Sequence, residues 1–450
     1  MTKHDLAIIG SGPCGYVAAI RAAQMGMKVS VFEKERVGGV CLNWGCIPTK
    51  ALSATAGVLS NVQRSAEFGI NVKDYEIDFS KACERKNNIV KKLSSGIEIL
   101  FKARKIEFVK ARAEIDKIDA RNILIATGSL PLQLPGMEFD GKSILSSTDM
   151  LELKSIPKSI IIVGGGVIGC EFASIFRTFG SEVTIVEMME HLLPTEDEEI
   201  SKKIEQIFKK KGIRAFTGAK AEKIEKKSST VFASISNGEV LQGEKAMICV
   251  GRAPNAAGLG IEEAGIIRDD KGWIRVDKGN GLRFRTNVKN IYAAGDVIGG
   301  VLLANVASRE GICAVEAMAG KSKTIDYNVI PNCIFTSPEI ASVGMTQAQA
   351  TAKGFNARAR KFLFSAIGKA HVLGETDGFI KLVVDNKTDK ILGAQLIGPH
   401  VTELIAEISP CVQFGITSEN LASVIHAHPT LSEVIQEACE AVHNRAIHGL

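Results

Sequence analysis

Twice along this chain an apolar run ends in a glycine triplet and resumes as a helix pattern. The first passage is DLAII (5–9), then Gly10-Ser-Gly12-Pro-Cys-Gly15, a helix-like stretch over 16–26, the apolar run KVSVF (28–32) and Glu33. The second is SIIIV (159–163), then Gly164-Gly-Gly166-Val-Ile-Gly169, a helix-like stretch over 170–180, EVTIV (182–186) and Glu187. In both, the acid stands eighteen residues beyond the last glycine. This is the βαβ design that holds a dinucleotide: glycines give a tight turn and close backbone approach, the helix N-terminus receives the pyrophosphate, and the acid bonds ribose hydroxyls. Two such sites are expected. Glu187 can bond a ribose 2′-OH but repels a 2′-phosphate, and no arginine immediately follows it, so the second site is expected to take NAD rather than NADP.

Between the repeats lies VGGVCLNWGCIPTK (37–50), with four residues between Cys41 and Cys46. In an unbroken helix their Cα atoms would stand about 8.7 Å apart, whereas a disulfide needs roughly 4.4–6.8 Å. A bridge therefore requires a distorted turn, which Gly38, Gly39 and Gly45 permit. A strained, accessible bridge is the exchangeable kind, and the stretch is read as a redox-active disulfide. On these residues alone, two reduced structural thiols remain the alternative. The other eight cysteines are scattered singly and form no secreted framework; they are expected to be small buried residues.

A chain of 450 residues with 45% apolar and 23% charged residues is expected to be globular and to divide into several domains. A net charge of +5 with four Tyr and two Trp gives no basic tract interleaved with aromatics, so no nucleic-acid partner is expected. No apolar run is long enough for a membrane span, and a strand pattern starts almost at Met1, so the location is expected to be cytoplasmic. Ile89, Leu93, Ile97 and Leu100 predict a helix over about 80–105 with that stripe facing the core. NILIA (122–126) reads as a buried strand turning at Thr127-Gly128, and 134–157 as a connection between domains. The lysines between 202 and 227 read as a solvated face. AMICV (246–250) is a strand ending at Gly251. Asp296 follows a glycine at a strand's end and reads first as a helix N-cap, with a bond to a sugar or ribitol hydroxyl as the alternative. From Tyr327 onward no phosphate loop recurs, and the pattern is α+β, with strands over 379–384 and 391–397 and helices over 401–414 and 431–443. Near the end, His428 and Glu433 are close enough after a turn for the acid to orient the imidazole, a base with its orienter.

Taken in order, GSGPCG, GGVCLNWGCIPTK, ILIATGS, GGGVIGCE, VGRAPN, YAAGDV, IFTSPEIASVG and HAHPTLSE span essentially the whole chain and resemble the pyridine nucleotide-disulfide oxidoreductase family, within it the branch that oxidises dihydrolipoyl groups. The resemblance implies an α/β fold of two Rossmann-like dinucleotide-binding domains plus a C-terminal α+β dimerisation domain. The divisions are an FAD-binding domain over 1–145, an NAD-binding domain over 146–270, a central segment over 271–326 that completes the FAD site, and an interface domain over 327–450. It implies FAD held by Gly10, Gly12, Gly15, Glu33, Lys50, Thr127, Gly128 and Asp296, and NAD held by Gly164, Gly166, Gly169, Glu171, Glu187 and Gly251, with no metal. Cys41 matches the thiol that exchanges with substrate, Cys46 the thiol against the flavin, and Lys50 a lysine paired with Glu171. His428 matches the base and Glu433 its orienter, both reaching the active site of the opposite subunit in a homodimer. The implied reaction is NAD⁺-dependent oxidation of a dihydrolipoyl group on an acyltransferase or carrier protein. Departures are Cys14 in the first loop, Val40 for a frequent threonine, Trp44 between the cysteines where it could narrow substrate access, Asn305 for a histidine, Phe335 for a tyrosine, and a shortened stretch between 106 and 122. Two alternatives stay open: a glutathione- or mercuric-type reductase, and a non-catalytic docking subunit using the lysine face.

Overall fold

The computed structural model describes residues 3–277, 279, 283–321 and 324–449. The first repeat builds a five-stranded parallel sheet in the order Ile291–Ala293, Ala120–Ile125, His4–Ile9, Val29–Glu33 and Glu107–Lys110. Leu6, Ala7 and Ile8 are wholly buried in succession, because helices cover both faces of a parallel sheet and its strands lose the in–out alternation. The second repeat builds a matching sheet in the order Ile144–Leu145, Lys245–Ile248, Ser159–Val163, Glu182–Val186 and Arg214–Phe216. The chain leaves the first unit along Ser129–Pro131 and returns along Arg252–Pro254, and these two crossings pair antiparallel as a ribbon.

On returning, the chain adds Ile291–Ala293 to the edge of the first sheet and lays helix Ala304–Met318 against helix Pro13–Gln24. Gly311 allows the approach: a Cβ there would stand 2.6 Å from the Cys14 carbonyl oxygen. Arg21 donates to Glu316 across the same seam.

Residues from 332 onward form a five-stranded antiparallel sheet, Asn332–Ile334, Glu339–Gly344, Ile391–Gly398, Phe379–Asp385 and Ala357–Leu363. Its two middle strands are buried at every position, so both faces are covered. One face packs Ile380, Leu382 and Leu396 against helices Val401–Phe414 and Glu433–Val442. The other sends Phe379 and Ile397 into a core shared with helices Val167–Thr178 and Cys46–Gln63. Phe172, Phe176 and Phe179 of the second unit meet Phe79 of the first in that core, Phe79 and Phe179 edge-on at 5.6 Å.

Two sequence expectations shift. The long helix spans Phe79–Ala103, but its buried face is Lys86, Val90, Ile97 and Phe101, while Leu93 and Leu100 are each 42% exposed. The helix lies on the edge of the first unit, so only a narrow stripe, rotated from the one expected, meets the core. The lysine face is also not all solvated: Lys211 donates to the Ser337 carbonyl at 2.6 Å and Lys203 pairs with Asp377 at 3.1 Å, pinning helix Glu198–Lys210 to the third unit.

Replacing Phe176 by alanine should cost roughly 3–5 kcal/mol, read from denaturant unfolding of the full chain, whereas Leu93→Ala should stay within about 0.5 kcal/mol.

Candidate active site

The spacing problem of the cysteines is solved by a broken helix. Cys41 lies in helix Gly39–Trp44, Cys46 opens helix Cys46–Gln63, and Gly45 between them takes φ −147° and ψ −111°. A Cβ on Gly45 would stand 3.1 Å from the Val40 carbonyl oxygen. The turn is clamped by buried Asn43, whose amide donates to the Val37 and Gly39 carbonyls, and by Thr49, whose hydroxyl donates to the Gly45 carbonyl at 2.7 Å. Gly39, at φ +59°, brings the corner onto the first phosphate loop: a Cβ on it would lie 2.5 Å from Gly12 Cα.

Both cysteines are thiols in the structure, and they line one cleft. Cys46 is drawn below the ordinary thiol range by the neighbouring Cys41 thiol and further by the Lys50 ammonium, against the opposing effect of burial. Cys41 is held above the ordinary thiol range by the neighbouring Cys46 and by burial. Of the ten cysteines, Cys46 alone is lowered; burial raises Cys14, Cys83, Cys170, Cys249, Cys313, Cys333, Cys411 and Cys439. Lys50 Nζ sits 2.8 Å from both carboxylate oxygens of buried Glu171 and 4.5 Å from the centre of the Phe335 ring, and the Phe335 amide donates to Glu171 Oε1 at 2.9 Å. All three units thus meet at this lysine.

One cleft is lined by Gly10, Gly12, Cys41, Cys46, Lys50, Thr127, Gly128, Glu171, Asp296 and Glu33, so most of the residues singled out in the first dinucleotide site share a surface. It suits a dinucleotide. A Cβ would strike backbone at Gly10 (2.5 Å from the Ala126 oxygen) and Gly15 (1.9 Å from the Gly10 oxygen), yet at Gly12 would meet only Gly39 Cα, at 3.8 Å. The loop is closed behind and open in front, where phosphate would lie. The Thr127 hydroxyl is buried with no protein partner, leaving a polar group for a ligand to satisfy. Glu33 is already oriented, accepting from the Ser11 amide and hydroxyl through one oxygen and from the Glu35 amide through the other.

Asp296 is not a helix cap. It enters a single 3₁₀ turn, and its Oδ2 accepts from the Ser129 hydroxyl at 2.6 Å, while Arg252 Nε donates to the same hydroxyl at 2.6 Å. The ribbon between the units is thereby sewn to the cleft. The VGRAPN motif contains Arg252, but only the fold shows that it returns beside Ser129. Trp44 also lines this cleft, beneath the Arg36 guanidinium at 5.9 Å.

The second loop repeats the geometry: a Cβ on Gly169 would lie 1.9 Å from the Gly164 oxygen and one on Gly164 2.6 Å from the Cys249 oxygen, while Gly166 faces open space. Glu187 accepts from the Gly165 and Met189 amides. Gly251, at φ +139°, accepts the Leu132 amide where the ribbon begins. His428 and Glu433 lie elsewhere and do not line the cysteine cleft. His428 Nδ1 bonds Glu433 Oε1 at 2.8 Å, with its side chain 78% exposed. Burial opposes ionisation of Glu433, yet the bonds from His428 and the Thr430 amide hold its carboxyl below the usual range.

The family model for pyridine nucleotide-disulphide oxidoreductases matches residues 4–311, and the model for the dimerisation domain of the same family matches residues 330–439. A dihydrolipoyl dehydrogenase from Bacillus subtilis is 44% identical, with 99% of each chain aligned, and one from Chlamydia pneumoniae is 42% identical, with 99% of this chain and 98% of that protein aligned. Among solved structures, LpdA from Mycobacterium tuberculosis superposes with a TM-score of 0.91 at 29% identity, covering 97% of this chain and 99% of that one.

Because Lys50 favours the Cys46 thiolate, Lys50→Gln should move its titration upward by about one unit. Ultraviolet thiolate absorbance of the reduced protein against pH checks this; an unmoved midpoint would assign the lowering to the neighbouring Cys41 alone.

Proposed function

The chain belongs to the pyridine nucleotide-disulphide oxidoreductase family, and from that premise we propose that it oxidises dihydrolipoyl groups to lipoyl groups with NAD⁺, as a homodimer. The observation that carries this reading is the cysteine corner: the helix break at Gly45 places Cys41 and Cys46 in one cleft with the first dinucleotide loop and the Lys50–Glu171 pair. The dihydrolipoyl dehydrogenases of Bacillus subtilis and Chlamydia pneumoniae match it over nearly their full length. No helix among the described residues is long and apolar enough to cross a membrane. The dihydrolipoyl group is proposed to arrive on an acyltransferase or carrier protein, in the cytoplasm.

In the oxidised enzyme Cys41 and Cys46 form the disulfide. His428 of one subunit, oriented by Glu433, takes a proton from a substrate thiol at the other subunit's cysteine corner. The substrate thiolate attacks Cys41 Sγ, and the Cys41–Cys46 bond breaks with its electron pair on Cys46. The second substrate thiol then attacks the substrate sulfur of the mixed disulfide, closing the lipoyl ring and displacing Cys41, which takes up the proton that this second thiol gives up. Lys50 holds positive charge beside the Cys46 thiolate while Glu171 holds Lys50. Bound FAD, seated by Gly10, Gly12, Gly15, Thr127, Gly128 and Asp296, supplies the two-electron path from the dithiol to NAD⁺. On the second loop Glu187 selects against a 2′-phosphate by charge.

Cys41→Ser should abolish dihydrolipoamide oxidation while the purified protein keeps its FAD; retained turnover would remove the assignment. His428→Gln should lower kcat by roughly 10²–10⁴-fold, and a loss below about tenfold would argue against a base role. NAD⁺ should support turnover far better than NADP⁺, and equal rates would favour a glutathione-type reductase.

A further inference from the structure

His426 and His428 are two residues apart, yet the fold treats them oppositely. The His428 side chain is 78% exposed and that of His426 only 4%. Across residues 423–429 every residue is exposed except His426, with Ile425 beside it at 94%. The segment therefore crosses open surface and turns one side chain inward.

That side chain is engaged at both nitrogens. Nδ1 lies 2.9 Å from the Val424 carbonyl oxygen, which can only accept, so Nδ1 carries a proton and donates. Nε2 lies 2.8 Å from Glu407 Oε1. Glu407 belongs to helix Val401–Phe414, whose Ile405 and Ile408 are buried in the third unit's core, so the carboxylate is a stationary point outside the segment. Downstream, the Thr430 amide and His428 both bond Glu433, and the Thr430 hydroxyl donates to the Ala427 carbonyl. Those bonds tie 427–433 to helix Glu433–Val442. Upstream, buried Leu421 and Ala422 seat helix Ser418–Ala422 in the same core and Gln436 Nε2 donates to the Ala422 carbonyl, and between that helix and His428 the tie to another element is His426 to Glu407.

We propose that His426 is a positioning residue for His428: by gripping Glu407 it anchors the upstream end of the segment that presents the exposed imidazole to its reaction partner. This rests on the reading of His428 as the base. Glu433 sets the direction of the ring, and the His426–Glu407 bond sets where the ring's backbone stands. Without that bond the exposed span from 423 to 427 is pinned only at its ends, and misplacement of about 1 Å at a reacting group can cost about 10²-fold.

The test uses FAD-loaded homodimer carrying His426→Ala, Glu407→Ala or Glu407→Gln, each alone and combined with His428→Gln, with FAD content and dimer mass measured for every variant. The probe is free dihydrolipoamide with NAD⁺. His426→Ala and Glu407→Ala are expected to lower kcat roughly 10- to 100-fold with KM for NAD⁺ and FAD content unchanged. Glu407→Gln, whose side-chain amide can still hydrogen-bond Nε2, is expected to recover most of the loss. In the His428→Gln background His426→Ala should cost less than about twofold, because the residue it positions is gone. Wild-type kcat in His426→Ala and Glu407→Ala would overturn the proposal, as would the same fold-loss with and without His428. If His426→Ala loses FAD, the Glu407→Ala and Glu407→Gln pair decides by the same criteria. His428→Gln without loss would overturn the base assignment and this proposal with it; loss in His428→Gln alone would overturn only this one.

Discussion

The backbone contact between Gly12 and Gly39 is the constraint on which the chemistry of this molecule depends. A side-chain carbon on Gly39 would lie 2.5 Å from Gly12 Cα, so the phosphate loop and the cysteine corner meet as bare backbone. Whatever ligand the loop seats is thereby placed against Cys41 and Cys46. The break at Gly45 then turns the two thiols toward each other, which an unbroken helix would not do at that spacing. Asn43 and Thr49 satisfy the carbonyls that the break exposes, so the distortion leaves these groups bonded rather than orphaned.

Lys50 extends this arrangement across the whole chain. Its partner Glu171 lies on the second unit, and Phe335, which supplies both a ring and an amide, lies on the third. A buried ion pair is a weak source of net stability, since desolvation offsets the attraction. Its consequence here is positional and electrostatic: the ammonium lies close enough to lower Cys46, and it stays there only while three units are docked. The apolar seam of Phe79, Phe172, Phe176 and Phe179 supplies the cohesion that holds the first two together.

Much of this was legible in the residues. Two glycine triplets with an acid at the same offset require two parallel-sheet units, because glycine at the tight turn and an apolar run before it leave few other folds. The helix over Val401–Phe414 was readable from periodicity alone. Legibility failed where burial depends on what lies across a gap. The stripe on helix Phe79–Ala103 turned away from Leu93 and Leu100 because the helix sits at an edge, and Lys211 left the solvated face because Ser337 happens to lie opposite. Asp296 reads as a cap until Ser129 and Arg252, remote in sequence, arrive beside it.

The two histidines mark the division most clearly. The sequence by itself determined the dinucleotide loops, the close spacing of Cys41 and Cys46 and the His428–Glu433 pair, because each is local: its geometry is set within a few residues by turn, helix and strand propensities. Only the tertiary structure decided that Lys50 is held beside the cysteine corner by Glu171, that Ser129, itself held by Arg252, bonds Asp296, and that His426 turns inward to Glu407 while His428 faces solvent. Those outcomes depend on electrostatics and burial between elements far apart in the chain, and such terms exist only once the elements have packed.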